Sequence, residues 1–344
     1  MALLTHGGQL AQIAKQFGIE QSQWLDLSTG IAPYHYPVGH VPISAYQQLP
    51  QVNDELINAA ASYYGHDALA ITNGSQAVIK LLPNLWREKS SRSTNVYLPK
   101  HGYKEHQQAW QQAQFTICLY DDELPPLAVF DDHCVLVIIN PNNPTTKLFT
   151  QQEILIYQQH IASLNGLLVV DEAFMDVITP SQSMISSIDD SNTIILRSFG
   201  KFFGLAGIRI GFVLANNHWI AMLADSLGPW QVNGPAQYIA AQALSDKAWH
   251  SEQRKQLTQD RQALVEMLQS TLNKNEHHRI VHTDLFITIY FNQPQRAPQL
   301  FDTLCQHEIY VRLCDDQQSL RFGIATAKQR ALLARVLRLT NLTD

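Results

Sequence analysis

The chain has 344 residues, 45% of them hydrophobic, and its 24 Lys and Arg against 30 Asp and Glu give a formal net charge of −6. This length exceeds what one compact core usually holds, and this apolar content is typical of a globular protein, so we expect a large domain and a smaller one. The acidic balance, with no basic run, argues against a nucleic acid or an anionic membrane as partner.

The cysteines and the hydropathy exclude further classes of protein. The four cysteines form no Cys-x-x-Cys pair and the histidines lack the spacing of zinc ligands, so we expect reduced thiols and no metal site. The chain starts without a charged region followed by an apolar core, and no apolar run is long enough to cross a bilayer. We therefore predict a cytoplasmic protein.

Along the chain, short apolar runs alternate with helical patterns. We predict helices near 75–86, 102–113 and 151–163 and strands near 95–98, 115–119, 135–139, 167–171, 193–198 and 209–214. This alternation is typical of an α/β fold with a mainly parallel sheet wrapped by helices. From about 245, a long polar helix, strands near 280–291, 309–313 and 320–325 and a closing helix predict a small α+β domain. We divide the chain into an N-terminal arm at 1–40, a large domain at 41–244 and a small domain at 245–344.

Two segments in the first third of the chain have chemistry suited to anions. His6 can donate a hydrogen bond, and Gly7 and Gly8 let backbone amides approach a ligand closely. Ser75, predicted as an N-cap, and Gln76 stand at a helix start, where amides and the helix dipole attract a phosphate. A terminal segment without a ligand and a simple helix cap are the alternatives.

Three polar or aromatic residues follow turns or strand ends. Tyr103 comes just past a turn and can lie flat on an aromatic ring, or pack in the core. Asn143 follows the strand at 135–139 in an Asn-Pro turn, where its amide can bond a ring hydroxyl oxygen. Asp171 ends an apolar run typical of a buried parallel strand and can pair with a ring nitrogen, although it can also cap the next helix.

The most informative segment runs from Ser198 through Lys201 to Arg209. A lysine that leaves a strand into a cramped, glycine-spaced loop loses water, which favours the neutral amine that forms an imine. The planar fork of Arg209 and the hydroxyl of Ser198 suit a phosphate. The segment therefore predicts an enzyme of pyridoxal 5'-phosphate, whose ring acts as an electron sink when Asp171 keeps its nitrogen protonated. The alternative is a solvated lysine and a surface arginine.

Arg312 and Arg321 lie in strand-like segments near the end of the chain. Two arginines suit a substrate that carries both a carboxylate and a phosphate dianion, because their forks satisfy oxygens while neutralising charge. A plain amino acid needs fewer cations. Exposed strand charges are the alternative.

In their order along the chain, these motifs resemble the fold type I pyridoxal-phosphate family, the aspartate aminotransferase superfamily. The resemblance implies that Lys201 and Asp171 are catalytic, with Lys201 bound covalently to the cofactor and Asp171 at its ring nitrogen. It also implies that Asn143 binds the ring oxygen and that Tyr103 stacks on the ring. The residues that it places at the cofactor phosphate are Gly74, Ser75, Gln76, Ser198 and Arg209.

The N-terminal segment with residues 24–33 is similar to the threonine-phosphate decarboxylases of the cobalamin pathway, whose nearest common relatives are histidinol-phosphate aminotransferases. This similarity implies decarboxylation of L-threonine O-3-phosphate to (R)-1-aminopropan-2-yl phosphate by a homodimer. Its implied substrate-binding residues are His6, Gly7, Gly8, Gly30, Arg312 and Arg321.

Two other functions stay open. Transamination of histidinol phosphate or a related amino acid follows if the substrate carboxylate is held in the plane of the cofactor ring, so that the Cα proton leaves instead of carbon dioxide. A cofactor-binding regulator without turnover is the other alternative, but such regulators usually carry a basic DNA-binding domain.

Five residues depart from the family pattern. Phe174 replaces a tyrosine that bonds the ring oxygen, Gly200 replaces Ser or Thr, and Thr146 stands where Gly is usual. Ala32 replaces an Asn before proline, and Leu49 replaces a tyrosine that reaches the neighbouring subunit's cofactor phosphate. Phe174 should alter the basicity of the cofactor-bound lysine, and Leu49 puts phosphate binding across the subunit interface in doubt.

Overall fold

A computed structural model describes residues 7–90, 95–272 and 277–340. Its α-helices are α1 Leu10–Phe17, α2 Ser44–Gln47, α3 Asp54–Tyr64, α4 Ser75–Lys89, α5 Lys104–Gln112, α6 Gln151–Ser163, α7 Phe199–Phe202, α8 Asn217–Leu227, α9 Gly234–Ser245, α10 Lys247–Thr271, α11 Arg296–Gln306 and α12 Ala327–Thr340. Its strands are β1 Leu25–Asp26, β2 Leu69–Thr72, β3 Asn95–Pro99, β4 Thr116–Tyr120, β5 Val135–Ile139, β6 Leu167–Asp171, β7 Thr193–Ser198, β8 Gly211–Ala215, β9 His277–His282, β10 Phe286–Phe291, β11 Ile309–Tyr310, β12 Arg312–Leu313 and β13 Ser319–Gly323.

The main sheet has seven strands in the order β2-β8-β7-β6-β5-β3-β4. Strands β3 to β7 pair in parallel, whereas β8 is antiparallel to both of its neighbours. The α/β class and the mainly parallel sheet are confirmed. Because β5, β6 and β7 are parallel neighbours, their carboxyl ends meet at one edge of the sheet, where ligands bind in folds of this class.

The sheet is buried by its own apolar strands and by helices. Every residue of β5 and β6 is buried, which explains why these strands are continuous apolar runs. Helices α4, α5 and α8 contribute to the core cluster, in which Trp86 and Trp219 stack with ring centroids 6.4 Å apart. The rigid sheet therefore fixes where the polar residues at its strand ends lie.

The chain forms two compact units. One unit comprises residues 35–143 and 147–249 and contains the main sheet. The other comprises the described parts of 1–34, 144–146 and 250–344. It contains the antiparallel sheet β12-β13-β10-β9 and the parallel pair β1-β11. The predicted boundaries at 40 and 244 stay a prediction.

Some local predictions were wrong. Ser75 is the first residue of α4 and not its N-cap, because Gly74, with a φ of 75°, occupies the cap. The strand-forming region expected near 280–291 is the β9–β10 hairpin. Strand β2 was missed, since its four residues lie in the short stretch before Gly74. Among the described residues, no helix has the length and apolarity needed to cross a membrane.

Candidate active site

One cavity in the unit that holds the main sheet brings together all nine residues expected to bind the cofactor. Its lining contains Gly74, Ser75, Gln76, Tyr103, Asn143, Asp171, Ser198, Lys201 and Arg209. The remaining lining residues include Phe174, Gly200 and Ala206. These residues come from five separate stretches of chain, so the fold and not sequence proximity assembles the cavity.

Asp171 is held at the carboxyl end of β6 by a buried histidine. His106 Nε2 lies 2.9 Å from Asp171 Oδ2, and the two residues are 1% and 3% exposed. The Ala173 backbone N–H donates to Asp171 Oδ1 at 3.1 Å. The carboxylate therefore has a fixed orientation, as a residue that binds a cationic ring nitrogen requires.

Three asparagines in the loop after β5 make different contacts. Asn140 exchanges two hydrogen bonds with the Phe149 backbone, at 2.8 and 3.0 Å. The Asn142 side-chain amide donates to the His101 carbonyl oxygen at 2.7 Å. These contacts fold the loop so that Asn143 lines the cavity.

Lys201 lies in the four-residue helix α7 and not in the loop that we predicted. The helix is anchored by Phe199, Phe202 and Phe203, all fully buried, and the Phe199 and Phe203 rings stack at 4.1 Å. Lys201 Nζ lies 5.7 Å from the centroid of the Phe174 ring. An aromatic anchor on the buried side of α7 thus fixes the lysine at the cavity.

The other end of the cavity is built from a helix start and an arginine. Gly74 precedes α4, and a Cβ placed on it would lie 2.9 Å from an Arg209 guanidinium nitrogen. A Cβ on Gly211 would lie 2.8 Å from the Ser75 backbone nitrogen. The two glycines let the arginine and the first amides of a 15-residue helix come close together. Such a combination of amides, helix dipole and guanidinium is suited to a phosphate.

Tyr103 is linked to the start of α4 through Gln76. Its hydroxyl donates to Gln76 Oε1 at 3.0 Å, while Gln76 Nε2 donates to Glu105. Burial raises the pKa of Tyr103, and the charges of Glu105 and Asp171 act in the same direction. The hydroxyl is therefore a neutral donor over a wide pH range.

These groups fit pyridoxal phosphate. The donors around Gly74 suit its phosphate, the carboxylate of Asp171 suits its ring nitrogen, and the amine of Lys201 suits its aldehyde. Because the glycines clear the space that a Cβ would fill, the fit rests on backbone geometry as well as on side-chain chemistry.

Two departures from the family pattern differ in how well they fit the structure. A Cβ on Gly200 would lie 2.5 Å from Ala206 Cα, which is backbone and cannot give way easily, so serine or threonine does not fit here. Thr146 has a φ of 61°, a conformation that favours glycine and is unfavourable for a β-branched residue. Phe174 brings no hydroxyl to the cavity, and its ring lies 5.7 Å from Lys201 Nζ.

The predicted substrate-binding residues that the structure describes lie in the second unit, and several of them meet at Ser28. Arg321 donates to the Ser28 carbonyl oxygen, and Gly8 N donates to Ser28 Oγ at 2.8 Å. Ser28 Oγ in turn donates to Asp26 Oδ1 at 2.7 Å. A Cβ on Gly7 would overlap the Ser28 carbonyl group, so only glycine fits. Ser28 thus joins the N-terminal segment to Arg321.

Arg312 and Arg321 are direct partners across β12 and β13. Arg312 donates to Asp315 at 2.7 Å. Burial lowers the pKa of Arg321 to about 10, and the charge of Arg312 acts in the same direction. An anion bound beside the pair would relieve this repulsion.

The last two residues predicted to bind the substrate are Gly30 and His6. Gly30 is buried, and His6 lies outside the described residues.

Sequence reasoning missed His106, Glu105 and Ser28 as supporting residues. His106 and Glu105 share the first turn of α5 with Tyr103, so their spacing was the available signal. Ser28 stands inside the motif that suggested the decarboxylase branch, but nothing in the sequence shows that its carbonyl oxygen meets Arg321.

The whole chain is similar to known proteins. The model of a family described as aminotransferase class I and II matches residues 44–338. A threonine-phosphate decarboxylase from Pseudomonas aeruginosa is 37% identical over 323 residues, which cover 94% of this chain and 93% of that protein. Another from a Sinorhizobium species is 35% identical over 330 residues, 94% of each chain. A histidinol-phosphate aminotransferase structure from Clostridium acetobutylicum has a TM-score of 0.77 at 19% identity, covering 92% of this chain and 99% of that one.

Proposed function

Since the chain belongs to the family of class I and II aminotransferases, we propose that it is a pyridoxal-phosphate-dependent decarboxylase of L-threonine O-3-phosphate. The products are carbon dioxide and (R)-1-aminopropan-2-yl phosphate, the linker of the nucleotide loop of cobalamin. The observation that carries this proposal is the identity of 37% and 35% to two threonine-phosphate decarboxylases over 94% of the chain.

The cavity residues support this chemistry. When bound, pyridoxal phosphate supplies an aldehyde that condenses with an amine and a ring that withdraws electrons from the substrate Cα. We assign Lys201 to the aldehyde, Asp171 to the ring nitrogen and Asn143 to the ring oxygen. Tyr103 is assigned to the ring face, and Ser198 and Arg209 belong with the start of α4 at the phosphate.

Proton transfer falls to Lys201. Loss of carbon dioxide leaves an electron pair on Cα, and a proton must replace the carboxylate there. The amine of Lys201 lines the cavity and can donate this proton. Asp171, which His106 orients, would keep the ring nitrogen of the bound cofactor protonated.

Arg312 and Arg321 are assigned to the substrate anions, together with Gly7, Gly8, Gly30 and His6. A substrate that carries a carboxylate and a phosphate brings enough negative charge to satisfy two neighbouring arginines. The way in which these residues orient the carboxylate would decide whether it leaves as carbon dioxide.

Product identification tests the proposal. The purified, cofactor-loaded protein is incubated with L-threonine O-3-phosphate, with and without 2-oxoglutarate, and the products are identified by mass spectrometry. We expect loss of carbon dioxide without a keto acceptor, and Lys201→Ala should abolish it. Glutamate formed from 2-oxoglutarate would instead identify an aminotransferase. This is the second candidate function, and the description of the matched family supports it. Turnover by Lys201→Ala near the wild-type level would overturn both.

The cytoplasmic location stays a prediction.

We further propose that the protein forms a homodimer. Large apolar side chains are exposed in one segment, with Ile43 at 67%, Tyr46 at 62% and Leu49 at 65%, which supports association. Size-exclusion chromatography with light scattering should find two chains per particle. A catalytically active monomer would contradict this.

A further inference from the structure

The side chain of Gln76 forms hydrogen bonds with two residues at the start of α5. Its Oε1 accepts from the Tyr103 hydroxyl at 3.0 Å, and its Nε2 donates to Glu105 Oε2. Gln76 is the second residue of α4, Tyr103 is the N-cap of α5, and Glu105 lies in the first turn of α5. The three residues therefore connect two helix starts that border the cavity.

Glu105 determines the direction of this chain of hydrogen bonds. A carboxylate only accepts, so the Gln76 amide must turn its NH2 group toward Glu105 and its oxygen toward Tyr103. The Tyr103 hydroxyl must then donate. The charge on Glu105 strengthens the first bond and polarises the second.

We propose that Glu105 and the side chain of Gln76 position the ring of Tyr103 against the cofactor ring. The side chain of Gln76 thus serves the ring and leaves the phosphate to backbone amides and Arg209. This inference rests on the proposed function, because it requires the cavity to hold pyridoxal phosphate.

Other contacts of Tyr103 hold the body of its ring but not its hydroxyl end. The ring meets His106 edge-on, with centroids 6.3 Å apart and an angle of 82° between the planes. It also packs against the core cluster of the main sheet. These contacts support the body of the ring, and the bond to Gln76 fixes its far end. A ring held at its hydroxyl as well as along its body is preorganised for stacking, so less freedom is lost on binding.

Pyridoxal, which lacks the phosphate, separates this role from direct phosphate binding. The dissociation constants of pyridoxal 5'-phosphate and pyridoxal are measured by absorbance titration of the cofactor-free protein. We expect Gln76→Ala and Glu105→Ala to weaken both compounds by the same factor, about fivefold to tenfold for a lost hydrogen bond. Glu105→Gln should retain most of the affinity, since its amide oxygen can accept the same bond.

Two further variants complete the design. Arg209→Gln is the matched control at the phosphate end and should weaken pyridoxal phosphate much more than pyridoxal. Gln76→Ala combined with Tyr103→Phe should be no worse than either single variant, because both remove the same bond. Thermal unfolding of each variant identifies any that does not fold.

The outcomes are distinct. Loss of pyridoxal phosphate affinity alone in Gln76→Ala would assign its side chain to the phosphate and overturn the inference. Unchanged binding of both compounds in Gln76→Ala, or additive losses in the double variant, would overturn it as well. A wild-type protein that binds neither compound would refute the proposed function, and this inference with it.

Discussion

His106 Nε2 lies 2.9 Å from Asp171 Oδ2 in a place from which water is almost absent, since both residues are at most 3% exposed. The histidine projects from α5 and the aspartate ends β6, so their contact joins a helix to the carboxyl end of the sheet. This contact occupies Asp171 Oδ2. The other oxygen, Oδ1, is turned away from the histidine and accepts from the Ala173 N–H.

His106→Ala should weaken catalysis with little effect on substrate affinity. The substitution leaves a buried carboxylate oxygen without its hydrogen-bond partner, which costs about 1–3 kcal/mol of free energy. We expect a cost of this size to raise the activation barrier, because the carboxylate then loses its orientation. We expect kcat to fall roughly tenfold to a hundredfold, at tenfold per about 1.4 kcal/mol. His106→Gln, which can place a donor near the same oxygen, should recover part of the activity. Steady-state kinetics with L-threonine O-3-phosphate measures both, and wild-type kcat in His106→Ala would disprove the role.

Gly200→Ser should destabilise the protein and weaken cofactor binding. Its Cβ would meet Ala206 Cα at 2.5 Å and push the loop that leads to Arg209. Overpacking of this kind costs about 1–3 kcal/mol. Gly207→Ala is the matched control, because a Cβ there has nothing within 4 Å. Urea unfolding and cofactor titration of the two variants should differ clearly, and equal stability would show that the loop adapts.

Ser28→Ala should raise KM for the phosphorylated substrate. The change removes the acceptor of the Gly8 N–H and the donor to Asp26, which loosens the N-terminal segment beside Arg321. Ser319→Ala is the control, because Ser319 is equally buried and its hydroxyl also bonds a carboxylate, that of Asp316. Each variant should lose about 1–3 kcal/mol of stability.

The two serine variants should differ in kinetics. Only Ser28→Ala should show a raised KM, by several-fold, with kcat nearly unchanged. A KM that rises equally in both variants would mean that the effect comes from general destabilisation of this unit.

Thr146→Gly should stabilise the protein. Thr146 adopts a φ of 61°, which costs a residue with a Cβ about 1–2 kcal/mol. Part of this gain is offset by the greater freedom of glycine in the unfolded chain, so we expect a net gain of about 0.5–1 kcal/mol. Asn165→Gly is the control, because Asn165 has a φ of 51° but asparagine tolerates this conformation. Chemical unfolding measures both, and the prediction fails if the Asn165 variant gains as much.

The stability of the protein should fall at alkaline pH partly through Tyr103. Burial raises its pKa above the ordinary value of 10.0, and Glu105 and Asp171 add to the shift. Above pH 10 the unfolded chain loses the phenolic proton while the folded protein keeps it. The folded state then binds more protons, so its stability decreases as pH rises through this range.

Tyr103→Phe removes that contribution. The variant should lose stability less steeply than the wild type above pH 10, and the two curves should run parallel below it. Unfolding free energies measured across this range test the sign. Parallel curves throughout would mean that Tyr103 ionises as it does in the unfolded chain.

Which residues line the cavity, and their order along the chain, were predictable from the sequence. Buried parallel strands are continuous apolar runs, so β5, β6 and β7 were found, and with them the polar residues at their ends, Asp171 and Ser198. Glycines near Lys201 and Arg209 indicated close backbone approach. These signals are local, because each one depends on a few adjacent residues.

The supporting contacts depended on tertiary structure. His106 is an ordinary histidine in a polar helix until the sheet brings Asp171 beside it, and Gly200 is unusual only because Ala206 packs against it. Ser28 and Arg321 are 293 positions apart in the chain, yet one accepts a hydrogen bond from the other. Local pattern identifies which residue types stand at strand ends and helix starts, whereas the direction and burial of each side chain are set by packing between segments that are distant in sequence.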